Sequence, residues 1–175
     1  MEPSETTILP LLHYTGIAAQ CSEAEFAQRF PAPALLLAPF RRHEDDTRFE
    51  TLPGDQRAGG LPLVAPVVKR EGINMFRSMI TLGRAPNNDI ELNAQSVSKF
   101  HGYFLDGPDG GLVFADGNSS GGTFVDGARL PSGGRAPVRP GTRLRFGALD
   151  ATLCSPAMLY EAALADPDDE PATKP

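Results

Sequence analysis

The sequence is poor in the residues that reactive and cross-linked sites need. Its 175 residues include two cysteines, three histidines and no tryptophan. Cys21 and Cys154 lie far apart without metal-like spacing, so we expect reduced thiols in a cytoplasmic protein. No nucleophile elbow or ligand pair is visible among the serines, cysteines and histidines. The sequence therefore predicts no enzyme, no cofactor and no metal site.

Long apolar runs and clusters of positive charge are also missing. No stretch approaches the roughly 18 uninterrupted apolar residues of a membrane span. The acidic start MEPSETTILP lacks the basic and apolar parts of a secretion signal. The net charge is −6 and the basic residues are scattered, which argues against binding to nucleic acid or to an anionic membrane. We expect a soluble protein.

Turn-forming residues, by contrast, are abundant. The chain has 18 glycines and 17 prolines, yet 41% of its residues are apolar and no segment is repetitive. This composition favours a globular, turn-rich protein over a low-complexity one. The length suits one domain with an extension. Arginine is common and lysine scarce, and alanine and proline are frequent, which indicates a bacterial chain.

Residues 1–66 have the character of an extension. Ser22 and Glu25 form a capping-box pattern, which predicts one short helix that ends before Pro31. The apolar run at residues 35–37 is compatible with a strand. The charges, prolines and glycines that follow it predict mostly loop.

From Val67 the pattern changes to short apolar runs, from PVVKREG to DATLCS, with turn signals roughly every eight to twelve residues. In several runs, such as Leu144 and Phe146, apolar residues lie two apart, as a half-buried strand requires. The pattern predicts an all-β antiparallel sandwich or barrel over residues 67–155.

The chain after this region predicts a closing helix. Ser155 followed by Pro156 is an N-cap with a first-turn proline, and apolar residues continue at helical spacing. We expect a helix over residues 156–165 that packs against the end of the sandwich. The charged, proline-bearing residues 166–175 predict a disordered tail.

Three loops between the predicted strands carry the polar groups that an anion site needs. They are GRAPNND (residues 83–89), QSVSKFH (residues 95–101) and GNSSGGT (residues 117–123). Loops at the end of a sandwich escape the packing constraint and often hold binding residues. A phosphate dianion is held best by a planar guanidinium, neutral donors and backbone N–H groups. Arg84, Ser98 and Ser120 supply these side chains.

The order of these motifs resembles the forkhead-associated (FHA) family. The matching pieces are Gly83-Arg84 and residues 88–90, 97–101, 116–123 and 140–147. The resemblance implies an antiparallel sandwich of about eleven strands whose loops bind phosphothreonine peptides. It is the combination of five motifs in one order, rather than any single motif, that indicates the family.

The resemblance also implies roles for individual residues. Arg84 would meet the phosphate, Ser98 would donate to it and Ser120 would add a third contact. From the residues themselves, Lys99 beside Ser98 either adds a positive charge to the site or is an ordinary solvated lysine. His101 is expected to hydrogen-bond loop backbone and hold the serine loop in place. The residues expected to support the site are Gly83, Gly122, Thr123 and Asp126.

Gly121 is a departure from the family pattern within the predicted peptide site. The family usually has asparagine here, whose amide grips the backbone of the ligand, and Asp126-Gly127 replaces a later asparagine-glycine pair without losing its turn chemistry. Losing one hydrogen bond typically costs about 1 kcal/mol. We therefore expect weakened peptide binding rather than none.

Two functions remain open from the sequence. The first is an adaptor that binds a phosphothreonine-containing protein in Ser/Thr kinase signalling or phosphorylation-dependent assembly. The alternative, favoured by Gly121, is a degenerate module with a phosphate-independent structural or assembly role. A kinase acting on Thr6 or Thr7 would let the chain bind its own N-terminus.

Overall fold

The computed structural model describes residues 7–38 and 62–165, which hold two β-sheets and three α-helices. The strands of the first half are β1 (Leu9–Pro10), β2 (Ala34–Leu37), β3 (Leu63–Pro66), β4 (Ile80–Gly83), β5 (Ile90–Glu91) and β6 (Gly102–Asp106). Those of the second half are β7 (Leu112–Asp116), β8 (Thr123–Val125), β9 (Ala128–Arg129), β10 (Arg135–Val138), β11 (Arg143–Phe146) and β12 (Leu149–Cys154). The helices are α1 (Leu11–Ala18), α2 (Glu23–Arg29) and α3 (Pro156–Leu164).

The two sheets confirm the predicted β-sandwich. One has seven strands in the order β1-β3-β2-β12-β11-β8-β9, and the other has five in the order β10-β7-β6-β4-β5. Pairing is antiparallel except between β4 and β5, where Leu82 lies opposite Ile90 in a parallel register. Just before β5, the Asp89 carboxylate accepts a hydrogen bond from the Thr81 N–H of β4. The predicted antiparallel sandwich is confirmed, and this short parallel pair is the exception among the described strands.

The core lies between the sheets and is built from alternating strand residues, as the spacing of Leu144 and Phe146 predicted. Phe114 of the five-stranded sheet packs against Phe146 of the seven-stranded sheet, with ring centroids 5.3 Å apart. Phe104 adds an edge-on ring 4.9 Å from Phe114. These fully buried aromatic rings fix the two sheets together below the loop end of the sandwich.

The boundary at residue 66 needs correction, because the first 66 residues contribute strands to the sandwich. Strand β2 pairs with β12, where Leu35 lies opposite Leu153, and β3 pairs with β2. The run ALLL does not alternate, since one face of β2 meets the core and the other is covered by helices. Such a run gives no period-two signal in the sequence. PVVKREG, in turn, forms no strand beyond Pro66.

The helices pack on the outer face of β2, β3 and β12 in a second apolar cluster that includes Phe26 and Cys154. The Ser22 capping box is present, because Ser22 Oγ accepts the Glu25 N–H and the Glu25 carboxylate accepts the Ser22 N–H. There are two helices in this region rather than one, since α1 begins after Pro10 without a side-chain cap. The predicted closing helix is confirmed as α3, with Ser155 as its N-cap.

Several expectations from the sequence lie outside the described residues. They concern Thr6, most of the loop between β2 and β3, and the tail at residues 166–175. Both cysteines are free thiols. None of the helices in residues 7–38 and 62–165 combines the length and apolar character that crossing a bilayer requires.

Candidate functional site

The three polar loops predicted from the sequence are neighbours, with the serine loop in the middle. On one side, the Arg84 N–H donates to the Ser98 carbonyl at 2.9 Å and the Ala85 N–H donates to the Lys99 carbonyl at 3.1 Å. On the other side, the Ser120 N–H donates to Ser98 Oγ at 3.0 Å. Backbone hydrogen bonds therefore fix the loops beside one another before any ligand is present.

Arg84 lies along the serine loop. Its Nε donates to the Val97 carbonyl at 3.2 Å, and the residue is half-buried. Within the described residues its two Nη nitrogens have no hydrogen-bonding or ionic partner. One edge of the guanidinium thus sets its orientation while the Nη nitrogens stay available, which is the arrangement that suits an oxyanion.

Ser98 and Ser120 bring two hydroxyl groups together. Their Oγ atoms are 3.1 Å apart, and Ser98 Oγ also accepts the Ser120 N–H. A hydroxyl has one proton and two lone pairs. Because Ser98 Oγ accepts from the Ser120 backbone, its own proton can be donated outward to an anion. The structure thus brings together the two hydroxyls that the sequence placed 22 residues apart.

His101 lies between the serine loop and the core and supports the loop. It is fully buried, its ring edge meets Phe146, and its Nδ1 accepts the Ser98 N–H at 3.1 Å. Nε2 lies near the Gly122 backbone without a well-formed hydrogen bond in the described part of the chain. Burial lowers the pKa of His101, while Asp116 and the Gly122 backbone partly oppose this. The imidazole is therefore neutral near pH 7, as an Nδ1 acceptor must be.

Asp116 and Thr123 shape the glycine-rich turn. The Asp116 carboxylate accepts hydrogen bonds from the Ser119 hydroxyl and N–H and from Thr123 Oγ1, the last at 2.7 Å. Burial alone would raise the pKa of Asp116, but these hydrogen bonds, with one from Gly133, lower it overall. The charged carboxylate closes the turn that presents Ser120.

Asn88 joins the first two loops and was not predicted as a site residue. Its Nδ2 donates to the Ala85 carbonyl at 2.8 Å and to the Lys99 carbonyl at 2.7 Å. Gly83 lies beside the same Lys99 carbonyl, which leaves no room for a Cβ atom. Gly83 therefore supports the site by allowing this close approach. The asparagine in the motif NND is the sequence feature from which the role of Asn88 could have been predicted.

A second unpredicted feature is a buried polar cluster behind the first loop. The Asp89 carboxylate accepts hydrogen bonds from Lys69 Nζ and from the Arg70 and Thr81 N–H groups, each at 2.8 Å. Asn74 Nδ2 donates to it at 3.1 Å. Burial raises the pKa of Asp89, but its hydrogen bonds, led by the one from Lys69, lower it overall. Sequence spacing does not reveal the cluster, because Lys69 lies twenty residues before Asp89.

The remaining predicted residues differ in their placement. The Lys99 side chain is exposed beside Ser98. Gly122 has a φ of +77° and accepts the Gly147 N–H. Asp126 is not brought to the loops. It lies in the turn between β8 and β9, and its carboxylate accepts the N–H of Arg143 in β11. Asp126 therefore stabilises that hairpin rather than the candidate site.

Gly121 allows the glycine-rich turn to approach the serine loop closely. A Cβ atom at Gly121 would lie 2.6 Å from the Ser96 carbonyl oxygen and 2.8 Å from Gly147 Cα. Gly147 packs against the same Ser96 carbonyl. The family asparagine is thus absent at a position where the neighbouring backbone lies too close for any side chain.

Replacing Gly121 by asparagine is therefore expected to harm the protein rather than repair it. The clash with fixed backbone should lower the free energy of unfolding by about 1–3 kcal/mol, as measured by urea denaturation. Peptide affinity should not rise. Gly111→Asn is the matched control, because the nearest atom to its Cβ position is the Pro108 carbonyl oxygen at 3.8 Å and its φ of −83° suits any residue. A stable Gly121→Asn variant with tighter binding would show that the loops have room for the amide.

Comparisons with known proteins bear on the fold and the family. Residues 80–147 match the family model of the FHA domain. The comparison with curated proteins gave no match. Among solved structures, the N-terminal FHA domain of Rad53p from S. cerevisiae, in complex with a phosphothreonine peptide, is 18% identical with a TM-score of 0.48, and the match covers 75% of this chain and 98% of that chain.

Two bacterial structures are similar to this chain at the same level. The FHA domain of the CT664 protein from Chlamydia trachomatis is 14% identical with a TM-score of 0.48, over 71% of this chain and 97% of that chain. Mycobacterium tuberculosis EmbR, in complex with a low-affinity phosphopeptide, is 20% identical with a TM-score of 0.43, over 75% of this chain and 29% of that chain. The matched segment holds β4 to β11 and all three polar loops. Residues 80–147 of this chain are therefore similar to the FHA domain.

Proposed function

We propose that this chain is a non-enzymatic adaptor that binds phosphothreonine peptides at its three polar loops. The observation that carries the proposal is the meeting of Ser98 and Ser120, with Oγ atoms 3.1 Å apart, on a loop along which the Arg84 side chain lies. The match of residues 80–147 to the family model of the FHA domain supports it.

The chemistry of the proposed binding is anion capture. Arg84 supplies the positive charge and a planar pair of donors, and Ser98 and Ser120 supply neutral donors. Lys99 adds charge from the exposed side of the loop. Because backbone hydrogen bonds already hold the loops, little conformational entropy is lost when the peptide binds.

The role that follows is in Ser/Thr kinase signalling or phosphorylation-dependent assembly. A kinase adds the dianion to a partner protein, and the adaptor binds the modified threonine but not the unmodified one. The arginine-rich composition and scarce cysteine fit a bacterial, cytoplasmic setting. In this role the chain binds its partner only after a kinase has phosphorylated it.

The N-terminus of a neighbouring molecule is one such phosphorylated segment. Thr7 is exposed and lies two residues before β1, at the edge of the seven-stranded sheet opposite β8 and β9. Five strand spacings separate β1 from β8, about 24 Å along the sheet. Phosphorylated Thr7 would therefore reach the loops of another copy more readily than its own. Thr6 lies outside the described residues.

A second candidate function is phosphate-independent assembly, and Gly121 is the feature that favours it. The glycine leaves the site without the family amide that grips the peptide backbone. In that case the sandwich would bind a fixed partner through its faces, and phosphorylation of the partner would not change the affinity.

Ser98→Ala tests the proposed site. Removing one neutral donor to a charged phosphate should weaken binding by about tenfold. The measurement is fluorescence anisotropy with a peptide pool that has a fixed central phosphothreonine. Ser132→Ala is the matched control, since Ser132 is an exposed serine whose hydroxyl donates to Asn118. Equal losses in the two variants, or none in Ser98→Ala, would contradict the assigned role of Ser98.

A further inference from the structure

Exposed apolar side chains are concentrated beside the candidate phosphate site. Large hydrophobic residues that are well exposed in the described part of the chain number five, and three of them are Met75 at 84%, Phe76 at 42% and Phe100 at 38%. The rings of Phe76 and Phe100 are 6.3 Å apart, and Phe100 stacks on Tyr103 at 6.1 Å. We call Met75, Phe76, Phe100 and Tyr103 the apolar strip. Contiguous exposed apolar surface on a monomer commonly marks an interaction site.

The apolar strip is held in place by the same groups that hold the phosphate loops. Asn74 Oδ1 accepts the Phe76 N–H, and Asn74 Nδ2 donates to the Asp89 carboxylate. Asp89 is adjacent to Asn88, whose amide fixes the Lys99 carbonyl. Phe100 follows Lys99 directly in the serine loop. One polar cluster thus preorganises both the strip and the loop that presents Ser98.

The position of the strip relative to the site follows from how two loops lie against each other. Ser96 approaches Gly121, Ser98 contacts Ser120, and the Phe100 ring approaches Gly117. The Ser98–Ser120 contact therefore lies between Gly121 at one end and Phe100 at the other. A peptide whose phosphate sits at Ser98 has one flank near Gly121 and the other near the apolar strip.

We propose that the apolar strip binds an apolar side chain of the same phosphopeptide, on the flank that points away from Gly121. This inference rests on the proposed phosphothreonine function and names a further requirement of the ligand. An extended peptide advances about 3.3 Å per residue, and Phe100 is two residues from Ser98. The apolar residue therefore lies two to four residues from the phosphothreonine. Its burial offsets the affinity lost with the missing amide at Gly121.

The test uses the full chain and a leucine scan. The reference probe is an eleven-residue peptide of alanine, glycine and serine with a central phosphothreonine, and the others carry a single leucine at each position from four before to four after it. We expect leucine to tighten binding by about five- to tenfold at positions on one side only. In the double variant Met75→Ser/Phe76→Ser, the affinity ratio between leucine and alanine peptides should fall to about one.

Leu12→Ser is the matched control, because Leu12 is an apolar residue of α1 that is 61% exposed and belongs to no part of the strip. It should keep the leucine preference of the wild type. A wild type without leucine preference, or a double variant that retains it, would overturn the inference. Analytical ultracentrifugation provides a further check. A wild type that is a dimer and has no leucine preference, together with a monomeric double variant, would also overturn the inference, since the strip would then bind a second copy of the chain.

The same experiment separates the two proposals. Preference for phosphothreonine over threonine without any gain from leucine leaves the proposed function intact and removes the role of the strip. Equal affinity for the phosphorylated and unphosphorylated reference peptides removes both.

Discussion

Arg84→Ala is expected to weaken phosphothreonine-peptide binding by about ten- to a hundredfold, because hydrogen bonds to a charged group contribute about 1.5–3 kcal/mol. The two Nη nitrogens of Arg84 have no competing partner among the described residues, so both are available to the phosphate. Isothermal titration calorimetry on the wild type and the variant measures the loss directly. The Arg84 side chain contributes one bond to the fold, from Nε to the Val97 carbonyl, so the variant should remain folded.

Two matched variants separate charge from geometry. Arg84→Lys keeps the positive charge but loses both the planar fork and the Nε bond to Val97, so it should bind between wild type and Arg84→Ala. Arg135→Ala removes an exposed arginine of β10 and should bind like wild type. If Arg135→Ala loses as much affinity as Arg84→Ala, general electrostatic attraction rather than a phosphate contact explains the effect.

Asp89→Ala is expected to have the largest effect on stability. The variant would leave the Thr81 and Arg70 N–H groups without their acceptor, while Lys69 Nζ would keep its bond to Asn74 Oδ1. Each stranded buried donor costs about 1–3 kcal/mol. We expect the free energy of unfolding to fall by about 3 kcal/mol or more, as measured by urea denaturation at pH 7. Asp106→Ala, at an exposed carboxylate, should change it by less than about 0.5 kcal/mol.

The same carboxylate predicts how stability depends on pH. The pKa of Asp89 is lower in the folded protein than in an unfolded chain, where it is about 3.9. Its contribution to stability is therefore complete above about pH 4 and is lost as the pH falls through the folded-state value. Denaturation curves between pH 5 and pH 2 should show this decline. Asp89→Asn should flatten it, with Asp116 and Glu25, whose pKa values are also lowered, providing the remaining slope. A variant with the full wild-type slope would contradict the assignment.

Sequence patterns predicted the parts of the fold that depend on local alternation and capping. The alternation of Leu144 and Phe146 placed β11, and the serine caps at Ser22 and Ser155 placed α2 and α3. Strand β2 was only suggested by its sequence, because both of its faces are covered and no polar residue marks an outer side. Helix α1 was missed, since it begins after a proline and has no side-chain cap.

In the candidate site, too, local motifs were predictable from the sequence and contacts between distant segments were not. The motif order predicted Arg84, Ser98 and Ser120 as site residues, and the structure brings their loops together. What the sequence could not show is the support between distant segments, such as Lys69 with Asp89 and the close contact of Gly121 with Ser96. These contacts join residues that are about twenty or more positions apart, so no local period or spacing reports them. Asp126 is the opposite case. Its turn motif led us to expect a supporting role at the site, but its side chain bonds to Arg143 away from the loops.

The most direct test of the account is calorimetry with two peptides that differ only in the phosphate on one threonine. In the proposed site, Arg84 and the Ser98 and Ser120 hydroxyls would bind a dianion, and unmodified threonine carries no such charge. We expect measurable binding of the phosphorylated peptide, affinity at least tenfold lower for the unmodified one, and loss of the difference in Arg84→Ala. Equal affinity for the two peptides would contradict the proposal that these loops capture phosphate.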